Sequence, residues 1–109
     1  AVELLENLEK DQLWQSGKIK QYHSRISEII RSYIEERFKI IALELTTDEI
    51  ITNISNKTLS KNIKELYKIL VRADLAKFAK SKPIDTENEE SMRIAKKFIK
   101  QTTEIKNDE

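Results

Sequence analysis

Few side chains in this sequence could carry chemistry, and their spacing keeps them apart. His23 is the one imidazole and there is no cysteine, so a two-histidine metal site, thiolate ligation and a cysteine nucleophile have no residues to build them. His23 follows Tyr22 near the edge of an apolar stripe, where an imidazole is expected to be structural or exposed. A Ser-His-Asp arrangement needs its nucleophile on a sharp strand-to-helix turn beside a glycine-rich oxyanion loop, and one glycine in 109 residues supplies no such loop. The acidic pairs Glu35-Glu36, Asp48-Glu49 and Glu89-Glu90 are adjacent in sequence. Consecutive helical residues point about 100° apart, so these pairs do not converge on a cation. The expectation is a non-enzymatic chain with no cofactor, no metal and no small-molecule substrate.

Surface charge offers a more specific lead. Residues 57–82 hold eight Lys or Arg against two Asp or Glu, although the whole chain carries only +1. Lys57, Lys61, Lys64 and Lys68 are expected to share one helical face, and with Arg72 and Lys77 they form the candidate interaction surface. Trp14, the sole tryptophan, is a further candidate, either as an interface anchor or as packing between the first two helices. The plainer alternative makes the basic stripe the solvated back of a helix, with acidic neighbours supplying compensation.

The elements that must position these residues are helical. One Gly and one Pro starve the chain of the turn chemistry that sandwiches, barrels and dinucleotide folds require. Leu4, Leu5, Leu8, Leu13 and Trp14 predict a helix over about 2–15, closed by Gly17. Ile19, Tyr22, Ile26, Ile29, Ile30 and Tyr33 predict the longest apolar stripe, a central helix over about 19–38. Thr46 and Glu49 have the spacing of a capping box that starts a short helix, carried by Ile50, Ile51 and Ile54. Leu59, Ile63, Leu66, Tyr67 and Leu70 mark a further helix, with Thr58 or Ser60 as its N-cap and either a break near Asp74 or none. Pro83 interrupts, Thr86 and Glu89 repeat the capping-box spacing, and Met92, Ala95, Phe98 and Ile99 line a last helix. The reading is an all-α, compact bundle of four to five helices forming a single domain over 1–104, with a frayed tail at 105–109.

At 39% hydrophobic and 36% charged, the chain has enough apolar matter for one modest core beneath a heavily ionised surface. No apolar run approaches the ~20 residues that span a bilayer. The piece itself is expected to be soluble, and its start at Ala1 reads as an excised segment. A helix-turn-helix-like nucleic-acid-binding domain using the basic 57–82 segment is the alternative function. Against it, the Ile54 to Ser60 connection is long for that motif, and the second helix is rich in Lys rather than in base-reading Arg, Asn and Gln.

Several runs occur in a distinctive order: Leu13-Trp14-Gln15, Gly17-Lys18, Ile19-Lys20-Gln21-Tyr22, Ser24-Arg25-Ile26, Ile30-Arg31-Ser32-Tyr33-Ile34-Glu35-Glu36-Arg37-Phe38, Ala42-Leu43-Glu44, Thr46-Thr47-Asp48-Glu49-Ile50, Ala73-Asp74-Leu75-Ala76-Lys77-Phe78-Ala79-Lys80 and Pro83. Together they resemble the cytoplasmic helical tail of Bacteroidetes membrane proteins related to the Bat aerotolerance system, a family of unknown function. The resemblance implies a transmembrane helix ahead of this segment, a place at the cytoplasmic side of the inner membrane, and a protein partner such as a MoxR-type ATPase or a von Willebrand factor A-type domain. It supplies no catalytic residues. His23 departs from it where Tyr is common, and Lys39-Ile40 where Gly often follows the Phe.

Overall fold

A computed structural model describes the backbone of residues 1–107 and the side chains of residues 1–103. Five helices follow in order: α1 Val2–Lys10, α2 Ile19–Phe38, α3 Thr47–Ile54, α4 Ser60–Phe78 and α5 Asp85–Asn107, with a single 3-10 turn, Ala42–Glu44, between α2 and α3. There is no strand among the described residues. The all-α bundle with a central α2 is therefore the observed architecture. The end of the expected tail, 108–109, lies outside the described residues.

Ile26, Ile29, Ile30, Ile34 and Phe38 of α2 are buried with Leu5 and Leu8 of α1, Ile50 and Ile54 of α3, Leu66, Ile69 and Leu70 of α4, and Met92, Ile94, Ala95, Phe98 and Ile99 of α5. Removing these side chains from water is the main favourable contribution to folding. α2 packs along α4 and α5 and also receives α1 and the 3-10 turn, whereas α3 packs on α4.

Chain reversals depart from the expectations in instructive ways. α1 ends at Lys10, not Gln15, because Gln12 takes a left-handed conformation, φ 50°. The following turn is closed by Gly17 at φ 85°: Lys18 N–H donates to Leu13 O at 2.8 Å and Gly17 N–H to Trp14 O at 3.1 Å. That pair of bonds is the Schellman pattern, which places a left-handed residue where glycine is least strained. The Thr46–Glu49 capping box forms in both directions, Glu49 N–H to Thr46 Oγ1 at 3.2 Å and Thr46 N–H to Glu49 Oε1 at 2.9 Å. The Thr86–Glu89 spacing does not cap α5. Its start lies earlier, where Ile84 N–H donates to Glu87 Oε1 at 2.9 Å, so Glu87 fills the role expected of Glu89. α4 is one unbroken helix whose N-cap is Leu59, without a side-chain cap. Thr58 Oγ1 instead accepts from Asn62 Nδ2 at 3.0 Å. Asp74 is no cap: its carboxylate accepts the hydroxyl proton of Thr47 at 2.6 Å.

Arg31 secures the irregular link after α2. Its Nε donates to Ser27 Oγ at 3.0 Å and its Nη1 to the carbonyls of Ala42, at 3.1 Å, and Leu45. Guanidinium donors thus satisfy carbonyls that no helix ladder reaches.

α2 terminates on Lys39 at φ 59°, ψ 44°. The left-handed region costs a non-glycine residue about 1–2 kcal/mol, partly offset by the greater unfolded-state entropy of glycine. Lys39→Gly is expected to raise stability by about 0.5–1 kcal/mol, read as a higher denaturant midpoint with unchanged slope.

Candidate functional site

α4 buries Asn62, Leu66, Ile69, Leu70, Ala73 and Ala76 against the bundle. Its opposite side should then be polar. Through its C-terminal half it is not. Tyr67, Val71, Leu75 and Phe78 recur at spacings of four, four and three, and at 3.6 residues per turn they fall within about 80° of arc on the outer side. Tyr67 is 46% exposed, Leu75 48% and Phe78 75%, while Val71 is half-buried. Tyr67, Val71 and Leu75 line a shallow groove of about 410 Å³ with Lys64, Lys68, Arg72, Ser81, Pro83 and Glu87. Ile84, next to Pro83, is 64% exposed. A helix apolar on two sides is ordinarily covered on both.

The predicted cations are divided by this geometry. Lys57 precedes α4 and does not share its face; its Nζ donates to Phe38 O at 3.5 Å. Lys61 is exposed on one flank of the apolar stripe, and Lys64 is exposed within the stripe's own arc, three residues before Tyr67. Lys68 lies on the same flank as Lys61, 3.6 Å from Glu90. Lys77 lies on the inner side near the helix end, where it lines a groove with Leu43 and Asp74, its ammonium 5.2 Å from the Phe78 ring centroid. Arg72 leaves the surface set altogether. Its Nη1 donates to Ser91 Oγ at 2.8 Å and to Glu87 O at 2.9 Å, and its Nη2 to Glu90 Oε1 at 3.0 Å, with Glu87 Oε2 at 3.8 Å. It ties α4 to α5. Trp14 is half-buried against the core and lines a separate groove with Glu9, Tyr22, Glu89 and Lys96. No α4 residue reaches that groove, so Trp14 and the lysines are not one site. Tyr67 was expected in the core and Leu59 with it; both are instead exposed.

The most buried ionisable groups are structural. His23 is 1% exposed and its Nε2 lies 2.6 Å from Asn88 Oδ1. Asn88 Nδ2 points to Pro83 O at 3.5 Å and Tyr22 Oη donates to Asn88 O at 2.9 Å, an arrangement in which the imidazole Nε2–H is the donor. Burial pushes the His23 pKa below its ordinary 6.5, opposed by the Asn88 bond, with Arg72 lowering and Glu87 raising it. Burial, then Glu9 and Glu89, raise the Tyr22 hydroxyl. The Arg72 hydrogen bond holds the Glu90 carboxyl low, against a smaller opposing effect of burial, and Lys68, Arg72 and Arg93 add to it. Sequence reasoning missed Asn88 because Tyr22 and His23 lie 65 or more residues away, and Arg31 because its carbonyl partners sit in the irregular link after α2. No cluster of three His, Cys, Asp or Glu that could hold a metal occurs among the described residues, and none of their helices is long and apolar enough to cross a membrane.

Arg72→Ala leaves the buried Ser91 hydroxyl and the Glu87 carbonyl without their donor. It is expected to cost about 1–3 kcal/mol, against less than about 0.5 kcal/mol for Lys64→Ala, both measured by urea unfolding.

Stability should also fall on acidification in two stages. Above about pH 6.5 His23 is neutral whether folded or not. As pH falls below that value the unfolded chain takes up a proton the folded one resists, so stability drops by up to about 1.4 kcal/mol per pH unit until the lowered folded pKa is reached. Glu90, whose folded pKa is depressed, contributes stability that is present above its ordinary 4.5 and lost as pH falls through the folded value. Unfolding curves of the native chain and of His23→Gln at about pH 7.5 and 5.5 should show the first stage only in the native chain.

No protein-family model, curated protein or solved structure matches the chain.

Proposed function

We propose that this chain is a non-enzymatic helical domain that binds another protein, as the cytoplasmic portion of a membrane-anchored protein at the inner membrane. The observation that carries the protein-binding part is α4, apolar on its inner side through Leu66, Ile69 and Leu70 and apolar again outside through Tyr67, Leu75 and Phe78. Large apolar side chains grouped on one exposed face mark an interaction site more often than singly scattered ones do. What supports membrane attachment, and a MoxR-type ATPase or von Willebrand factor A-type protein as the partner, is the ordered sequence resemblance. A catalytic reading finds little support, because His23 is buried on an asparagine and Arg72 is spent on α5.

The nucleic-acid alternative rests on Lys61, Lys64 and Lys77, which suit phosphates but carry no base-reading fork. Under the protein-binding reading, duplex DNA should show no binding at about 50 mM salt, where counterion release favours any phosphate-contacting protein. Native protein purified from detergent-solubilised membranes should bring a partner with it. Leu75→Glu/Phe78→Glu should lower that recovery about tenfold, the effect of losing a buried apolar contact, while melting at the same temperature. Equal recovery of every partner by native and variant would overturn the proposal, as would salt-sensitive DNA binding.

A further inference from the structure

We infer that the outer face of α4 receives an acidic amphipathic helix of a partner protein. This deepens the protein-binding reading and rests on it. The stripe from Tyr67 to Phe78 covers about three turns, roughly 16 Å at 1.5 Å per residue, with Tyr67, Leu75 and Phe78 exposed and Val71 between them. Three apolar positions at intervals of four and three match the i, i+4, i+7 anchors by which a helix lies along a groove. Pro83 and Ser81 wall one side of that groove.

Charge selects the occupant. Lys61 and Lys68 stand along one flank, Lys68 3.6 Å from Glu90, and Lys64 is exposed within the arc of the strip just before Tyr67. The carboxylates nearby are already engaged: Asp74 accepts from Thr47 at 2.6 Å, Glu87 lies 3.8 Å from Arg72, and Glu65 lies 3.2 Å from Lys97. An apolar strip with a cationic margin is complementary to a helix with an apolar strip and an anionic margin. A second copy offers no such match. Placed face to face and antiparallel about a twofold axis, α4 would set Lys61 and Lys68 against the same lysines of the other copy. The acidic α1 has already buried Leu5 and Leu8 in its own bundle.

The test places a benzophenone photocrosslinker at Tyr67 or Phe78 of the full-length protein in the cells that make it, with Leu4, exposed on α1 away from the α4 face, as a third position. Crosslinked peptides are then sequenced. The inference expects adducts from Tyr67 and Phe78 on one acidic amphipathic segment of another protein. Yield should drop about tenfold in Lys61→Glu/Lys64→Glu, whose melting is unchanged because both lysines are exposed. Adducts on lipid, on nucleic acid, on a second copy of this chain or on a segment without acidic margins would overturn it. Protein adducts from Leu4 but none from Tyr67 or Phe78 would overturn it and leave the broader protein-binding reading intact. No protein adduct from any of the three would overturn both.

Discussion

Burial around α2 is the constraint on which the bundle is built. Tyr22, His23, Ile26, Ser27, Ile29, Ile30, Ile34 and Phe38 are all buried, and at 100° per residue they occupy about half the helix circumference. An arc that wide cannot be covered by one neighbour, so α4 and α5 both lie along it and α1 and the 3-10 turn fill what is left. It also takes polar side chains inward, His23 between Ile30 and Ile34 and Ser27 nearer the edge. His23 and Ser27 are acceptable there because Asn88 and Arg31 bond them. Each would be costly buried without those partners.

The same constraint explains the character of α4. Half of its surface is committed to α2, α3 and α5, and this is what fixes Leu66, Ile69 and Leu70 inward. Its outer half makes no contribution to that core, so the residues there are free of packing requirements. Tyr67, Val71, Leu75 and Phe78 stand there with lysines nearby, so apolar side chains that build the core and apolar side chains that do not share one helix. Those lysines, as like charges, discourage the exposed strip from pairing with itself.

Local signals in the sequence proved readable and distant ones did not. The Thr46–Glu49 box is decided within four residues and forms as expected. Periodicity located α2 and the buried face of α5, because Met92, Ala95, Phe98 and Ile99 have one possible side on which to gather. Where two carboxylates offered the same local spacing, Glu87 and Glu89, the backbone position of Pro83 and Ile84 decided between them, and a spacing rule does not contain that information. Asp74 was ambiguous between cap and helix interior because its partner is Thr47, 27 residues away. Tyr67 fitted a core stripe as well as an outer one. Leu66 and Leu70 turn inward around it, so only the placement of α2 and α5 assigns its side. The lysines at 61 and 64 were recognisable as surface, whereas the apolar strip beside them emerged only once the inner side of α4 was known.

Arginine and lysine divide along this same line, for a chemical reason. A guanidinium offers five donors in a planar fork, while an ammonium is a compact, strongly hydrated charge. Arg31 bridges α2 to the carbonyls of the 3-10 turn, Arg37 donates to Thr102 O at 3.3 Å, and Arg72 joins α4 to Ser91, Glu87 and Glu90. Arg31 and Arg72 close gaps between elements with several bonds at fixed angles, which an ammonium would close with fewer. Arg25 and Arg93, by contrast, stay on the surface and pair three residues along their own helices. Within residues 57–82 the one arginine among seven lysines is the cation that turned inward. Of the lysines around it, Lys68 pairs with Glu90 and Lys57 reaches the Phe38 carbonyl, whereas Lys61 and Lys64 are exposed to solvent.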